Sequence, residues 1–471
     1  MGRPAFLCIS LLLIVAVALL LNLNGCGGSS PATVKVPPPV AKIQHVVVIF
    51  QENRTTDNLF HDPVLIANGA DIASSGLDSS GNTIQLSPTP LGIDYDLGHA
   101  HKDFVSMYDG GKMDGANNVT VTCSAGAANC PPSNPQYLYV QASDVGPYFQ
   151  MAEQYTFGDR MFQTNEGPSF PAHQFIISGT SAPTATSNLF VAENPLGQAG
   201  CAASPSSTVA LIDPSGDQSS TIYPCFEHPT LTDELNANSI SWRYYAPTAG
   251  SIWTAPNAIQ HMCGPNATPP NATACEGSDW VNNVVIYSTQ DPDPILNDIS
   301  NKQLPAVSWV IPAVQNSDHA GATTTTGGPS WVAAIVNAIG TSSYWSNTAI
   351  VITWDDWGGW YDHVSPPQVI DDGTSWGSGY VYGFRVPLIV ISPYAKASHI
   401  SHVTHDFGSV LNLIENTFGL ASLGYADAHA DDLSDCFDFN QTPLTFKTIN
   451  APLNAAHFLK DKTPPVGPDD D

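Results

Sequence analysis

Apolar residues gather in four short, unbroken runs, each followed at once by polar or turn-forming residues. Residues 43–50 (IQHVVVIF) lead into Gln51-Glu52-Asn53-Arg54, and 304–312 (LPAVSWVIP) lead to Asn316-Ser317-Asp318-His319. Residues 348–354 (TAIVITW) end in Asp355-Asp356, and 387–392 (PLIVIS) end in Pro393-Tyr394. Runs this short, rich in Val and Ile and lacking polar alternation, predict strands buried on both faces. Residues 330–339 (SWVAAIVNAI) predict a helix before the third run. A second helix is predicted at 406–418, where Phe407, Val410, Leu411, Ile414 and Phe418 share one face and Gly419 suits the C-cap.

Strands alternating with helices predict an α/β fold, with a mostly parallel sheet covered on both sides. Such sheets bind ligands at the carboxyl ends of their strands. Glu52, Asn53, His319, Asp355 and Asp356 all follow strand ends, so one edge of the sheet should collect them. The catalytic domain is expected over 43–450. Within it, 181–298 is rich in Ser, Thr, Asn, Pro and Gly without clear periodicity, and reads as a loop-rich insertion beside the active edge. Residues 451–471 read as a C-terminal tail, with the end (TPPVGPDDD) expected to lack fixed structure.

The N-terminus changes the picture of location. Arg3 precedes an almost entirely apolar run over 5–21, and Leu23-Asn24-Gly25-Cys26 has the form of a lipobox. The expectation is a signal peptide over 1–25 and a tether over 26–42, attached to the bacterial cell envelope through a lipidated Cys26. An ordinary signal peptide and a secreted product is the alternative. Lys plus Arg total 14 against 42 acids, a net charge of −28. That is a poor surface for nucleic acid, whose phosphates need clustered basic residues. An anionic substrate must instead be met locally, by a metal, histidines or a few placed basic groups. Export also favours disulfides. Short separations point to Cys123–Cys130, Cys201–Cys225 and Cys263–Cys275, leaving Cys436 alone, although spacing by itself does not fix connectivity.

The candidate chemistry lies in a few motifs. Asp355-Asp356 at a strand end, followed by Gly358-Gly359 and His363, suits a hard or borderline divalent cation. Trp354, Trp357 and Trp360 around this turn predict an enclosed, apolar surround that fits an amphiphilic substrate. Glu52 and Asn53 add oxygen ligands from a second strand end, and Arg54 offers a bidentate partner for a phosphate. Ser169, between Gly167-Pro168 and Pro171, is an exposed-turn nucleophile that needs a base or metal to activate it. His99 and His101 precede the turn Asp109-Gly110-Gly111-Lys112-Met113-Asp114-Gly115, and one of the two histidines is expected to be a bystander.

In this order and combination, the motifs resemble the bacterial phospholipase C and acid phosphatase family, a branch of the alkaline phosphatase superfamily. The resemblance runs from Glu52-Asn53-Arg54 through DGGKMDG, Gly-Pro-Ser, Ser317-Asp318-His319, TWDDWGGWYDHVSPP and RVPLIVISPY to HDFGSVLNLIENTFGL. It implies a three-layer α/β/α sandwich and one divalent metal ion held by Glu52, Asn53, Ser169, Asp355 and Asp356. Ser169 would be the nucleophile, passing through a phosphoserine, with His99, His319 and His363 around the phosphate and Asn53, Arg54 and Lys112 binding it. The substrate would be a phosphate ester: a phospholipid, or a phosphomonoester as in the acid phosphatases.

The sequence also departs from that pattern. Ala172-His173 stand where phospholipase-like members often carry Asn-Arg, and Thr55-Thr56-Asp57-Asn58 replace Ser-Phe-Asp-His. A sulfatase reading fails at His173, where its motif requires arginine. A catalytically silent surface lipoprotein is the rival of another class, but every matched position keeps a chemically competent residue.

Overall fold

The structure is a computed structural model that describes residue 2 and residues 42–128, 130–321, 327–368 and 382–468. The signal segment and the tether with Cys26 lie outside the described residues, apart from Gly2 and Lys42, as do 469–471. No helix among the described residues is long and apolar enough to cross a membrane.

Eight strands form the central sheet: β1 (His45–Gln51), β2 (Thr156–Phe162), β3 (Trp242–Ala246), β4 (Val284–Ile286), β5 (Val307–Val310), β6 (Thr348–Trp354), β7 (Arg385–Ile391) and β8 (His399–Ser401). Their order across the sheet is β4-β3-β5-β1-β6-β7-β2-β8. All neighbours pair in parallel except β7, which runs antiparallel to both β6 and β2. The four predicted strands are present as β1, β5, β6 and β7. Residues of β1, β5, β6 and β7 are buried along almost their whole length, as strands covered on both faces must be.

Helices α1 (His101–Tyr108), α2 (Ala142–Gln154), α3 (Ser169–Ser178), α4 (Gly327–Gly340) and α5 (Phe407–Phe418) complete the frame. On one face of the sheet α2 packs on α4, and Trp354 of β6 meets Tyr148 of α2 edge-on at 5.1 Å. On the other, α3 packs on α5, and Phe50 of β1 contacts both His173 of α3 and Phe407 of α5. This is the three-layer α/β/α sandwich. The start of α5 is fixed by a capping box in which Asp406 and Ser409 bond each other's backbone, and Gly419 at φ 69° ends it.

The segment 181–298 differs from the expectation of an insertion wholly outside the sheet. It supplies β3 and β4, the two outermost strands on one side of the central sheet itself. Their shortness, with three to five residues each, hid them among turn-rich sequence. The rest of the segment is irregular and is stapled by Cys201–Cys225 and Cys263–Cys275, while Cys123–Cys130 closes a loop elsewhere. Cys436 is free and buried. The C-terminal segment is also better ordered than expected up to Pro468: Phe458 is buried, and Val314 N–H donates to Val466 O at 3.0 Å.

Candidate active site

Two adjacent parallel strands end side by side and deliver the acidic groups together. Asp355 N–H donates to Gln51 O at 2.9 Å, joining the end of β6 to the end of β1. Two residues beyond Gln51, Asn53 adopts φ 53° and its N–H donates to Asp355 Oδ1 at 3.0 Å. Gly358 (φ 59°) is required by the same junction, because a Cβ there would lie 2.3 Å from Asn53 O. Its N–H donates to Asp356 Oδ1 at 2.7 Å, which leaves Oδ2 aimed at the serine.

Ser169 is the first residue of α3, where the helix dipole favours developing negative charge. Its Oγ donates to Asp356 Oδ2 at 3.1 Å, and Asn53 Nδ2 lies 3.5 Å from Oγ. Gln163 holds this turn against the acidic one: its Nε2 donates to Asn165 O and Gly167 O, and its Oε1 accepts from Trp357 N–H. Asn53 Nδ2 also meets His99 Nε2 at 3.1 Å, while His99 Nδ1 sits 2.8 Å from Leu97 O. The His319 ring lies 6.0 Å from that of His99, with its Nδ1 2.6 Å from Ala320 O. In both histidines the carbonyl places the proton on Nδ1, and in His99 this leaves Nε2 to accept from Asn53.

Glu52, Asn53, Ser169, Asp355 and Asp356 are therefore gathered and fully buried, with His99 and His319 beside them. His173, absent from the expected set, joins them from α3 with its Nε2 3.1 Å from Glu52 Oε1 and 3.9 Å from Asp355 Oδ2. Its signal was present in the sequence as spacing: four residues after Ser169 is the same face of a helix. Burial pushes its imidazole down to about 4.

The donor set fits a divalent cation. Glu52, His173 and Asp355 bring one ligand atom each within 4.8 Å of one another. Asn53 Oδ1 and Asp355 Oδ2 are buried and accept no hydrogen bond. Oxygen-rich, buried and carboxylate-dominated, such a site carries a desolvation cost that a bound cation offsets.

Three expected residues are not brought to this group. Arg54 is fully buried, but its Nε donates to Asp318 O, and its terminal nitrogens donate to Asn58 Oδ1 and Leu91 O. It also packs 4.8 Å over the Trp360 ring. Lys112 is exposed and pairs with Asp109. His363 belongs to a separate ionic cluster, 2.7 Å from Asp57 and 3.0 Å from Asp71, with Arg385 joined to Asp57 and Asp362. Trp354, Trp357 and Trp360 are fully buried, so they support the site from within instead of presenting an apolar surface to substrate. A cavity of about 380 Å³ lies beside Ser169, lined by His99, Pro168, Glu193, Asn194 and Leu196 among others.

The site is thus a buried serine set among carboxylates at the carboxyl edge of an α/β sheet. Comparison with known proteins makes this specific. The chain belongs to the Phosphoesterase family, whose model matches residues 43–421. It is 25% identical to phospholipase C B of Mycobacterium tuberculosis, over 91% of this chain and 84% of that protein. It is 24% identical to the non-hemolytic phospholipase C of Pseudomonas aeruginosa, over 84% of this chain and 57% of that protein. Among solved structures, an alkaline phosphatase superfamily protein from Vibrio parahaemolyticus aligns with a TM-score of 0.35 at 9% identity, covering 82% of this chain and 70% of that one. The protein is thus a phosphoric ester hydrolase with phospholipase C-like relatives and a site suited to a metal cofactor.

Proposed function

We propose that the protein cleaves phosphodiesters with an organic leaving alcohol, such as phospholipids, through a phosphoserine at Ser169. The observation that carries this reading is the Ser169 Oγ–Asp356 Oδ2 hydrogen bond of 3.1 Å at the head of α3. Asp356 Oδ2 takes the hydroxyl proton as Oγ attacks phosphorus and the bond to the leaving oxygen breaks. His319, protonated on both ring nitrogens, gives a proton to that oxygen. Asn53 Nδ2 and the N-terminus of α3 face the charge that develops on the phosphoryl oxygens. Water then attacks phosphorus as the Oγ–P bond breaks; Asp356 Oδ2 returns its proton to Ser169 Oγ, and the proton released by the water passes to the histidine. A divalent cation held by Glu52, Asn53, Asp355 and Asp356 would lower the serine pKa and draw off phosphoryl charge.

Diesters are favoured over monoesters because a monoester dianion needs more positive charge than a diester monoanion. Arg54 and Lys112 are both committed elsewhere. The phosphomonoesterase reading relies on histidines charging at low pH. Comparing kcat/KM for a phosphatidylcholine analogue and p-nitrophenyl phosphate separates the two. The analogue should win at pH 7, with the monoester gaining as pH falls through the histidine range. A monoester preferred at pH 7 by more than about tenfold, roughly 1.4 kcal/mol of transition-state stabilisation, contradicts the reading. Export and attachment through a lipidated Cys26 belong to the same proposal, and a mature N-terminus beyond Cys26 would instead make the protein simply secreted.

A further inference from the structure

We propose that His173 Nε2 is a direct ligand of the cation at this site and makes it select a borderline transition-metal ion, such as Zn²⁺, over Mg²⁺ or Ca²⁺. The inference rests on the metal-assisted reading above and adds to it a nitrogen donor and the ion class that donor implies.

What Nε2 can bind depends on which ring nitrogen carries the proton. Tyr244 O–H donates to Trp253 O at 2.8 Å, and its oxygen accepts from Ala255 N–H at 3.4 Å with a second lone pair left to accept. His173 Nδ1 lies 3.4 Å from that oxygen, and an N–H there completes the contact. Nε2 then carries the lone pair. It points at Glu52 Oε1 at 3.1 Å and toward Asp355 Oδ2 at 3.9 Å, both fully buried. A lone pair facing two carboxylate oxygens in a dry site is repulsive unless a cation lies among them. Asp355 Oδ2 accepts no hydrogen bond, which fits an atom reserved for such an ion.

The ring cannot swing away to relieve the contact. It lies edge-on to Phe50 at 4.8 Å and stacks at 6.5 Å on Trp253, and the residue is fully buried. Oxygen-only shells suit Mg²⁺ and Ca²⁺, whereas imidazole with carboxylates suits Zn²⁺ and its neighbours. A ligand set of Glu52, His173 and Asp355 is therefore of the second kind.

The competing role is positional: with the proton on Nε2, His173 would donate to Glu52 and merely orient it. Selectivity separates the two. Protein stripped by chelator is titrated by calorimetry with Zn²⁺, Mg²⁺ and Ca²⁺ individually, for wild type and His173→Gln. A direct ligand predicts that the variant loses more Zn²⁺ affinity than the about 10- to 100-fold that a supporting residue costs, with Mg²⁺ and Ca²⁺ affinities unchanged. An equal loss for all three ions, or none, overturns the proposal in favour of positioning or no role. X-ray absorption of the wild-type protein loaded with Zn²⁺ checks the same point should the variant fail to fold, and a shell without an imidazole contradicts it. Wild-type protein that binds no divalent ion overturns the metal-assisted reading as well, so the two failures are distinguishable.

Discussion

Ser169 Oγ and Asp356 Oδ2 stand 3.1 Å apart although 187 residues separate them in the chain. One begins α3 and the other follows β6, and the carboxyl edge of the sheet is where these two elements meet. If this pair is the reacting centre, Ser169→Ala should leave the thermal midpoint nearly unchanged and lower kcat by about three orders of magnitude or more. Circular dichroism and steady-state assays check both halves. Retention of about a tenth of wild-type kcat would remove Ser169 from the nucleophile's role.

Metal content should follow the buried oxygens. Asp355→Asn and Glu52→Gln should each lower bound divalent metal and activity in parallel, measured by elemental analysis of purified protein. Variants with undiminished metal would show that the ligand set is drawn around the wrong residues.

Arg54 and Lys112 carry the same charge but should behave oppositely. Arg54→Gln removes three buried hydrogen bonds that tie the start of the first turn after β1 to Asp318 and Leu91. Each buried acceptor left without its partner costs about 1–3 kcal/mol, so urea denaturation should show a large loss of stability. Lys112→Ala touches only an exposed pair with Asp109 and should leave both the urea midpoint and kcat/KM unchanged.

The His363 cluster gives a pH dependence with a definite sign. Burial disfavours the imidazolium, but the Asp57 hydrogen bond and the Asp57 and Asp362 charges outweigh it and raise the pKa from 6.5 to about 9. A folded pKa above the unfolded value means the stabilisation is complete below about pH 6.5 and is lost as pH rises through 9. Its size is on the order of 2–3 kcal/mol. Urea midpoints should fall between pH 6.5 and 9.5 for wild type and much less for His363→Gln. Equal slopes for the two proteins would contradict this.

Much of the arrangement was legible because the buried parallel strands announce themselves as unbroken apolar runs. β1 and β6 could be located in this way, and with them Glu52, Asn53, Asp355 and Asp356 at their ends. β2 was not, because Gly158-Asp159-Arg160 interrupts its apolar character, and β3 and β4 are too short to show a period. Side-chain direction is the harder matter. Arg54 follows Asn53 immediately, yet the positive φ at Asn53 turns the chain, and its guanidinium reaches Asp318 O instead of the serine. His173 was readable only through the helix that begins at Ser169, and His363 follows the acidic turn but is drawn to Asp57 and Asp71.

The central claim is covalent catalysis by Ser169, and acid quenching tests it most directly. Enzyme mixed with a phosphate-ester substrate and quenched during turnover is digested and its peptides weighed by mass spectrometry. The peptide containing Ser169 should gain the mass of the transferred phosphoryl group, and Ser169→Ala should show no such adduct. Turnover at the wild-type rate with no adduct on that peptide at any quench time, or an adduct on another residue, would contradict it.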